Sequence, residues 1–272
     1  MTQFTLSAFG DEISPNLDEQ IRVLLANDVH YLEFRSWEGQ VIIDYPIPQV
    51  KEAFKKLSDA GIGVSALGSP IGKIPITEAF DPHLERFQKT LEVAHALQTS
   101  YIRMFSFYIP TGDDPARWRD EVIKRWQSFI ETSKGAGVTL LHENESGIYG
   151  DTAERGLDLL DTLHCEYVKA TFDPANFVQC NVETYPHAYN LLRKHIAYLH
   201  IKDARYRDHV VVLAGQGDGK LPDILGDLAK TGFSGFASIE PHLNQSLPGG
   251  GPELFGVAAE ALKMSLKGIP LS

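Results

Sequence analysis

The chain is poor in cysteine, in long apolar runs and in basic residues, and each shortage removes a class of protein. Two cysteines among 272 residues cannot form a disulfide framework and are not spaced as CxxC, so we expect a reducing compartment and no thiolate metal site. No apolar stretch is long enough to span a bilayer, and the first residues lack the basic and apolar regions of a signal peptide. We therefore expect a cytoplasmic protein with no membrane partner.

The shortage of basic residues also argues against nucleic acid as a partner. The chain has 25 Lys and Arg against 36 Asp and Glu, a formal net charge of -11. Because nonspecific affinity for DNA and RNA comes mainly from Lys and Arg that displace counterions, we expect no nucleic-acid partner. The remaining composition, 43% hydrophobic and 22% charged, is typical of a globular protein of one large domain or two small ones.

Short apolar runs alternate with amphipathic stretches along the whole chain. Eight runs are predicted to be strands, at roughly residues 4–9, 30–35, 63–68, 100–106, 137–143, 167–173, 196–201 and 235–240. Between them, apolar residues recur three and four apart, as on one face of a helix. No linker marks a second domain, and residues 203–220 are predicted to form one long loop. The pattern predicts a single (β/α)8 TIM barrel over residues 1–272, with a doubly wound open sheet as the alternative.

Four potential metal ligands lie where the last four predicted strands end: Glu143, Asp173, His200 and Glu240. The C-terminal strand ends of such a barrel meet at one rim, which carries the chemistry. Three clustered carboxylates would repel one another without a cation, and their oxygens with one imidazole suit a divalent ion. For each residue alone, a helix cap or turn is the alternative. Together they predict one divalent metal ion, with Mn2+ preferred and Mg2+, Co2+ or Zn2+ as alternatives.

The segments around these residues, GVTLLHEN, FDPANF, YLHIKDA and FASIEPH, resemble the sugar phosphate isomerase/epimerase superfamily of xylose-isomerase-like barrels. This superfamily includes tagatose 3-epimerase and inosose dehydratase and, more distantly, AP endonucleases of the endonuclease IV type. The resemblance covers nearly the whole chain. It implies that the four residues are metal ligands, that Glu143 and Glu240 are the proton-transferring pair, and that the protein forms a homo-oligomer.

A site of this kind predicts chemistry on a keto sugar. The ion would stabilise the enediolate that forms when a proton leaves the carbon beside the carbonyl, and two glutamates could remove and return that proton. We therefore predict an isomerase or epimerase of a small sugar or keto-polyol. Loss of a β-hydroxyl from the same intermediate would instead make a lyase or dehydratase of a keto sugar or inosose, and the sequence does not separate these outcomes.

Two remote alternatives come from other functional classes. An AP endonuclease would need a multi-metal cluster with extra histidines and a basic face for DNA, and the sequence shows neither. A noncatalytic sugar-binding barrel would not need intact ligands. Both alternatives are therefore weaker than the enzyme.

Further residues are expected around the metal. Lys202 follows His200 by two residues, so it could neutralise an enediolate catalytically, or else pair with a ligand carboxylate. Asn176 stands where tagatose epimerases have a histidine, and Tyr206 where they have an arginine, which argues against direct epimerisation of a free ketohexose. The predicted substrate-binding residues are Asn176, Arg103, His242, Arg35 and Glu12; for His242 and Glu12, an ordinary loop or surface role is the alternative.

Two glycine-rich loops end in lysine, GSPIGK at 68–73 and GQGDGK at 215–220. Their backbone N–H groups could hold a phosphate. Neither loop has the GxxxxGK[ST] spacing, and loop flexibility alone would explain the glycines. A phosphorylated substrate is therefore an open alternative.

Overall fold

The structure is a computed structural model that describes residues 3–268, in which eight parallel strands close into a barrel. The strands are β1 (Gln3–Phe9), β2 (Tyr31–Phe34), β3 (Gly63–Gly68), β4 (Tyr101–Met104), β5 (Thr139–Glu143), β6 (Val168–Phe172), β7 (Ile196–Ile201) and β8 (Ser234–Ile239). Each strand pairs with the next along the chain, and β8 pairs with β1. The predicted (β/α)8 barrel is confirmed, and the open sheet is wrong.

Helices fill the connections between the strands, and a last helix follows β8. They are α1 (Leu17–Ala26), α2 (Ile47–Asp59), α3 (Asp81–Ala96), α4 (Arg119–Ser133), α5 (Ala153–Leu163), α6 (Pro174–Gln179), α7 (Tyr189–Leu192), α8 (Leu221–Thr231) and α9 (Gly251–Ser265). Asn16 begins α1 by accepting the backbone N–H of Glu19 at 3.1 Å. Within residues 3–268, none of the helices has the length and apolar character needed to cross a bilayer.

One connection differs from the prediction. Residues 203–220 are not a single loop, because Asp203–Ala204 pairs with Val211–Val212 in a short antiparallel ribbon. Two successive β-branched valines favour such an extended pairing, and Val211 is buried in it. The ribbon follows β7 directly and therefore lies beside the rim of the barrel.

The barrel interior below the rim is filled by side chains. Ser65 Oγ lies 2.6 Å from Ser7 Oγ and 2.8 Å from the hydroxyl of Tyr198, and all three residues are buried. Tyr198 and His200 are two residues apart on β7, so both face this interior. The edge of the His200 ring packs against Phe9, with the ring centres 5.1 Å apart. Any ligand must therefore approach from the rim.

Candidate metal centre and substrate cavity

The four predicted metal ligands come together at the C-terminal rim. Glu143 ends β5, His200 lies near the end of β7, and Asp173 and Glu240 directly follow β6 and β8. One ligand atom of each residue lies within 4.8 Å of those of the other three. The four are almost completely buried, with exposed fractions between 0% and 3%. Four consecutive strand ends thus form one compact cluster.

His200 faces all three acids of this cluster. Its Nδ1 lies 3.1 Å from Oε1 of Glu143 and 3.8 Å from both Oδ2 of Asp173 and Oε2 of Glu240. Oδ2 of Asp173 also lies 2.7 Å from Nζ of Lys202. Burial opposes a charge on the ring, but Glu143 and Glu33 outweigh it and raise the pKa of His200 well above its usual value. Three buried carboxylates around one imidazole nitrogen are a donor set that fits a divalent cation.

Asp173 uses its two oxygens for different purposes. Oδ1 accepts the backbone N–H of Asn176 at 2.9 Å and so caps α6. Oδ2 lies in the cluster, 2.7 Å from Nζ of Lys202. Asp173 therefore caps a helix, as the alternative interpretation of this residue predicted. Its second oxygen remains available to a metal.

Lys202 forms the ion pair that was one of its two predicted roles. Its Nζ lies 2.7 Å from Asp173 Oδ2 and 2.8 Å from Glu240 Oε2, and its side chain is 6% exposed. The lysine therefore neutralises part of the negative charge of Asp173 and Glu240.

Arg103 and Arg35 each hold one of the two glutamates predicted to transfer protons. Arg103 Nη1 donates to Glu143 Oε2 at 2.7 Å, and Arg35 Nη1 donates to Glu240 Oε1 at 3.3 Å. Arg35 also donates to Glu12 at 2.7 Å. Both arginines thus fix carboxylates, and their predicted contact with substrate stays a prediction.

The remaining predicted residues surround the same two glutamates. Asn176 Nδ2 donates to Glu143 Oε1 at 3.1 Å. His242 Nε2 lies 2.8 Å from Glu12 Oε1 and 3.4 Å from Glu240 Oε1. Burial opposes a charge on His242, but Glu12 and Glu240 outweigh it and raise its pKa. Each glutamate therefore has its own set of polar neighbours.

A cavity of about 290 Å³ opens above the cluster. Its walls include every predicted catalytic or substrate-binding residue except Glu12, which lies behind Arg35 and His242. Lys73 and Phe105 also form the wall, with Lys73 Nζ 4.2 Å from the ring centre. An aromatic face beside a few fixed polar groups suits a small polyhydroxylated ligand.

The two glycine-rich loops use their N–H groups within the protein. Three N–H groups of GQGDGK donate to the buried carboxylate of Asp203 at 2.9, 3.0 and 2.8 Å: Gly215, Gly217 and Gly219. In the other loop, the N–H of Gly72 donates to Nε2 of His83 at 2.8 Å. These donors already have acceptors, so neither loop is built as a phosphate cradle.

Glu33 is a buried acid that the sequence analysis did not single out. It lies on β2 between Leu32 and Phe34, is 0% exposed, and places Oε2 at 3.1 Å from Nε2 of His200. A buried charge is costly unless it is paired, so an acid inside an apolar strand was a signal of a partner. The strand-end pattern indicates Arg35 in this segment and not Glu33.

Comparison with known proteins agrees with this architecture. The family model described as a xylose isomerase-like TIM barrel matches residues 22–264. The chain belongs to this family. The predicted resemblance to xylose isomerase-like barrels is thereby confirmed, whereas no curated protein matches the chain.

Several solved structures share the xylose isomerase-like barrel. The probable 3-DHS dehydratase AsbF of Bacillus anthracis has a TM-score of 0.77 at 16% identity, covering 96% of this chain and 99% of that chain. The IOLI protein, described with a bound zinc atom, has a TM-score of 0.77 at 16% identity, with coverages of 98% and 99%. An L-ribulose 3-epimerase has a TM-score of 0.74 at 18% identity, with coverages of 98% and 95%. At such identities the likeness shows the fold alone.

Proposed function

We propose that the chain is a divalent-metal-dependent isomerase or epimerase of a small sugar or keto-polyol. The observation that carries this proposal is the pair Glu143 and Glu240, which are both buried, both in the ligand cluster and each tied to a separate arginine. Membership of the xylose isomerase-like family and the likeness to an L-ribulose 3-epimerase support the same reaction class.

The metal would be held by the four clustered residues Glu143, Asp173, His200 and Glu240. Mn2+ is our first choice because oxygen donors dominate the set, with Mg2+, Co2+ or Zn2+ as alternatives. The zinc atom described for the IOLI protein supports a divalent ion at this kind of site. When bound, the ion would polarise the carbonyl and the adjacent hydroxyl of the substrate.

Both glutamates are held in the ionised form that a general base requires. Burial would raise the pKa of Glu143, but His200 and Arg103 outweigh it and hold this pKa far below its usual value. Burial opposes the charge of Glu240 in the same way, and Lys202 and His200 lower its pKa well below the usual range. Both carboxylates are therefore ionised at neutral pH.

The reaction begins when one glutamate removes the proton beside the substrate carbonyl. The C–H electron pair then moves toward the carbonyl oxygen and forms the enediolate. Water then delivers a proton through the other glutamate to the opposite face, which inverts the carbon. Return of the proton to the neighbouring carbon gives the isomerase instead.

Other side chains of the cavity orient the substrate and stabilise its charge. Lys202 presents its ammonium group beside the cluster and would stabilise the enediolate oxygen. We propose that Asn176, Arg103, Arg35 and His242 contact substrate hydroxyls from the wall, with Glu12 holding the last two in place.

The second candidate is a lyase or dehydratase of a keto sugar or inosose. It shares the removal of the proton, after which a β-hydroxyl leaves the enediolate. Two observations favour it: the likeness to the probable 3-DHS dehydratase AsbF, and Asn176 and Tyr206 in place of tagatose-epimerase residues.

The proposal is tested by incubating the Mn2+-loaded protein in D2O with a panel of keto sugars and inososes. We expect deuterium at one substrate carbon by NMR, with no loss of water by mass spectrometry. Loss of water would identify the lyase instead. Metal-loaded protein that binds a sugar of the panel but labels none would contradict catalysis and favour the noncatalytic barrel.

A further inference from the structure

We infer that Glu33 is a positioning residue that fixes the tautomer of His200, so that Nδ1 is the nitrogen offered to the divalent ion. The inference rests on the proposed metal site. It gives a role to a fully buried acid that takes no part in the proposed proton transfer.

The contact between Glu33 and His200 lies on the far side of the ring from the ligand cluster. Nε2 of His200 is 3.3 and 3.1 Å from the two oxygens of Glu33, and both side chains are 0% exposed. A carboxylate at this position accepts a hydrogen bond from the ring and so selects the tautomer that carries the proton on Nε2. In the neutral ring Nδ1 then has a free lone pair, and this atom lies 3.1 Å from Glu143 Oε1.

Packing alone could not select this orientation. The His200 ring meets Phe9 and Tyr198 in edge-on contacts, with ring centres 5.1 and 6.0 Å apart. These contacts hold the plane of the ring, but a flipped imidazole has nearly the same shape. A polar partner at one nitrogen is needed to distinguish the two states, and Glu33 is that partner.

The strand that carries Glu33 is irregular at this point. The pairing of β2 with β3 shifts register between Leu32 and Glu33. Such irregularities re-aim side chains and are enriched beside active sites. Here the irregularity accompanies a carboxylate that lies deep inside the barrel, beneath the rim.

The test compares Glu33→Gln with wild type, using metal alone. After removal of metal by a chelator, Mn2+ affinity is measured by calorimetry, and the Zn2+-loaded, 15N-labelled protein is examined by long-range 1H–15N NMR of His200. We expect the wild type to carry the proton on Nε2. For Glu33→Gln we expect Mn2+ affinity to fall about 10–100-fold and both tautomers to appear.

Ser65→Ala is the matched control. It removes buried hydrogen bonds to Ser7 and Tyr198 in the same barrel interior, and Ser65 has no contact with His200 among its described hydrogen bonds. This variant should lose stability while keeping the wild-type affinity and tautomer. The comparison therefore separates a general loss of stability in the barrel interior from the specific effect of Glu33 on Mn2+ affinity and on the tautomer of His200.

The outcomes are distinct. Wild-type affinity together with a single Nε2–H tautomer in Glu33→Gln would overturn the inference. So would a wild-type His200 that binds Zn2+ through Nε2, a result that needs no variant to fold. Because no sugar is used, weakened affinity in Glu33→Gln supports the inference even if the sugar panel shows no turnover and the proposed reaction fails.

Discussion

At the scale of single residues, the proposal depends on two carboxylates. We expect Glu143→Gln and Glu240→Gln each to lower solvent deuterium exchange into the substrate by at least about 10²–10⁴-fold, because an amide cannot accept the proton. The measurement is NMR in D2O on variants shown by calorimetry to retain Mn2+.

Glu131→Gln is the control for that pair. Glu131 lies on α4, is exposed, pairs with Lys134 at 3.7 Å and does not line the cavity. It should keep exchange close to the wild-type rate. Near-normal exchange in either Glu143→Gln or Glu240→Gln would contradict the proton-transfer assignment.

The sequence could show which residues reach the rim, but not which neighbour each one meets. Glu143 and Glu240 were identified because strand ends converge in any barrel of this kind. Arg35 contacts Glu240, which is 205 positions away in the sequence. A local sequence pattern cannot predict such a contact, because the contact depends on how the whole chain folds. The pairing of Glu33 with His200 was missed for the same reason.

At the scale of elements, short loops set the shape of the cavity. In the loop after β3, Ile71 and Gly72 accept the backbone N–H groups of Phe105 and Phe107 at 2.8 and 3.0 Å. Gly72 has a φ of +89°, and a Cβ there would overlap the carbonyl oxygen of Phe105. Only glycine fits this position, so the turn that places Lys73 on the cavity wall is tightly specified.

His83 makes the stability of this loop depend on pH. Burial, with the nearby charges of Arg86 and Arg125, lowers the pKa of His83 from 6.5 to about 4. Between these values the unfolded chain binds the proton first, so the stabilising effect is present above pH 6.5 and is lost as the pH falls towards 4. The slope from this one group is at most about 1.4 kcal/mol per pH unit.

We therefore expect denaturation curves of the wild type to lose more stability than those of His83→Gln between pH 6.5 and 4. The pKa of His142 is also lowered to about 4, chiefly by burial, but His142 is present in both proteins. The difference between the two therefore isolates His83. Identical pH profiles would show that protonation does not break the bond from Gly72.

The eight strands were predictable because their apolar runs are short and are separated by amphipathic helices. The ribbon at 203–212 was not, because strands of two residues carry too little pattern to be recognised. The sequence also does not predict that His83 and Asp203 accept hydrogen bonds from the backbone of the glycine-rich loops. These contacts form only when each loop folds against its acceptor.

At the scale of the whole molecule, the closed barrel explains how distant segments make one site. Eight parallel strands buried on both faces must close or be covered, and the count favoured closure. That residues 1–272 form a single domain stays a prediction, as do the cytoplasmic location and any homo-oligomer. The side chains at the rim, rather than the barrel itself, select the substrate and the ion, because the same barrel carries several reactions.

The central claim, that Glu143, Asp173, His200 and Glu240 hold one divalent ion, is tested most directly by anomalous diffraction from Mn2+-loaded crystals. We expect a single strong peak at the rim, about 2.0–2.6 Å from a ligand atom of each residue. No peak among the four side chains, or side chains that point apart in the loaded protein, would contradict the account.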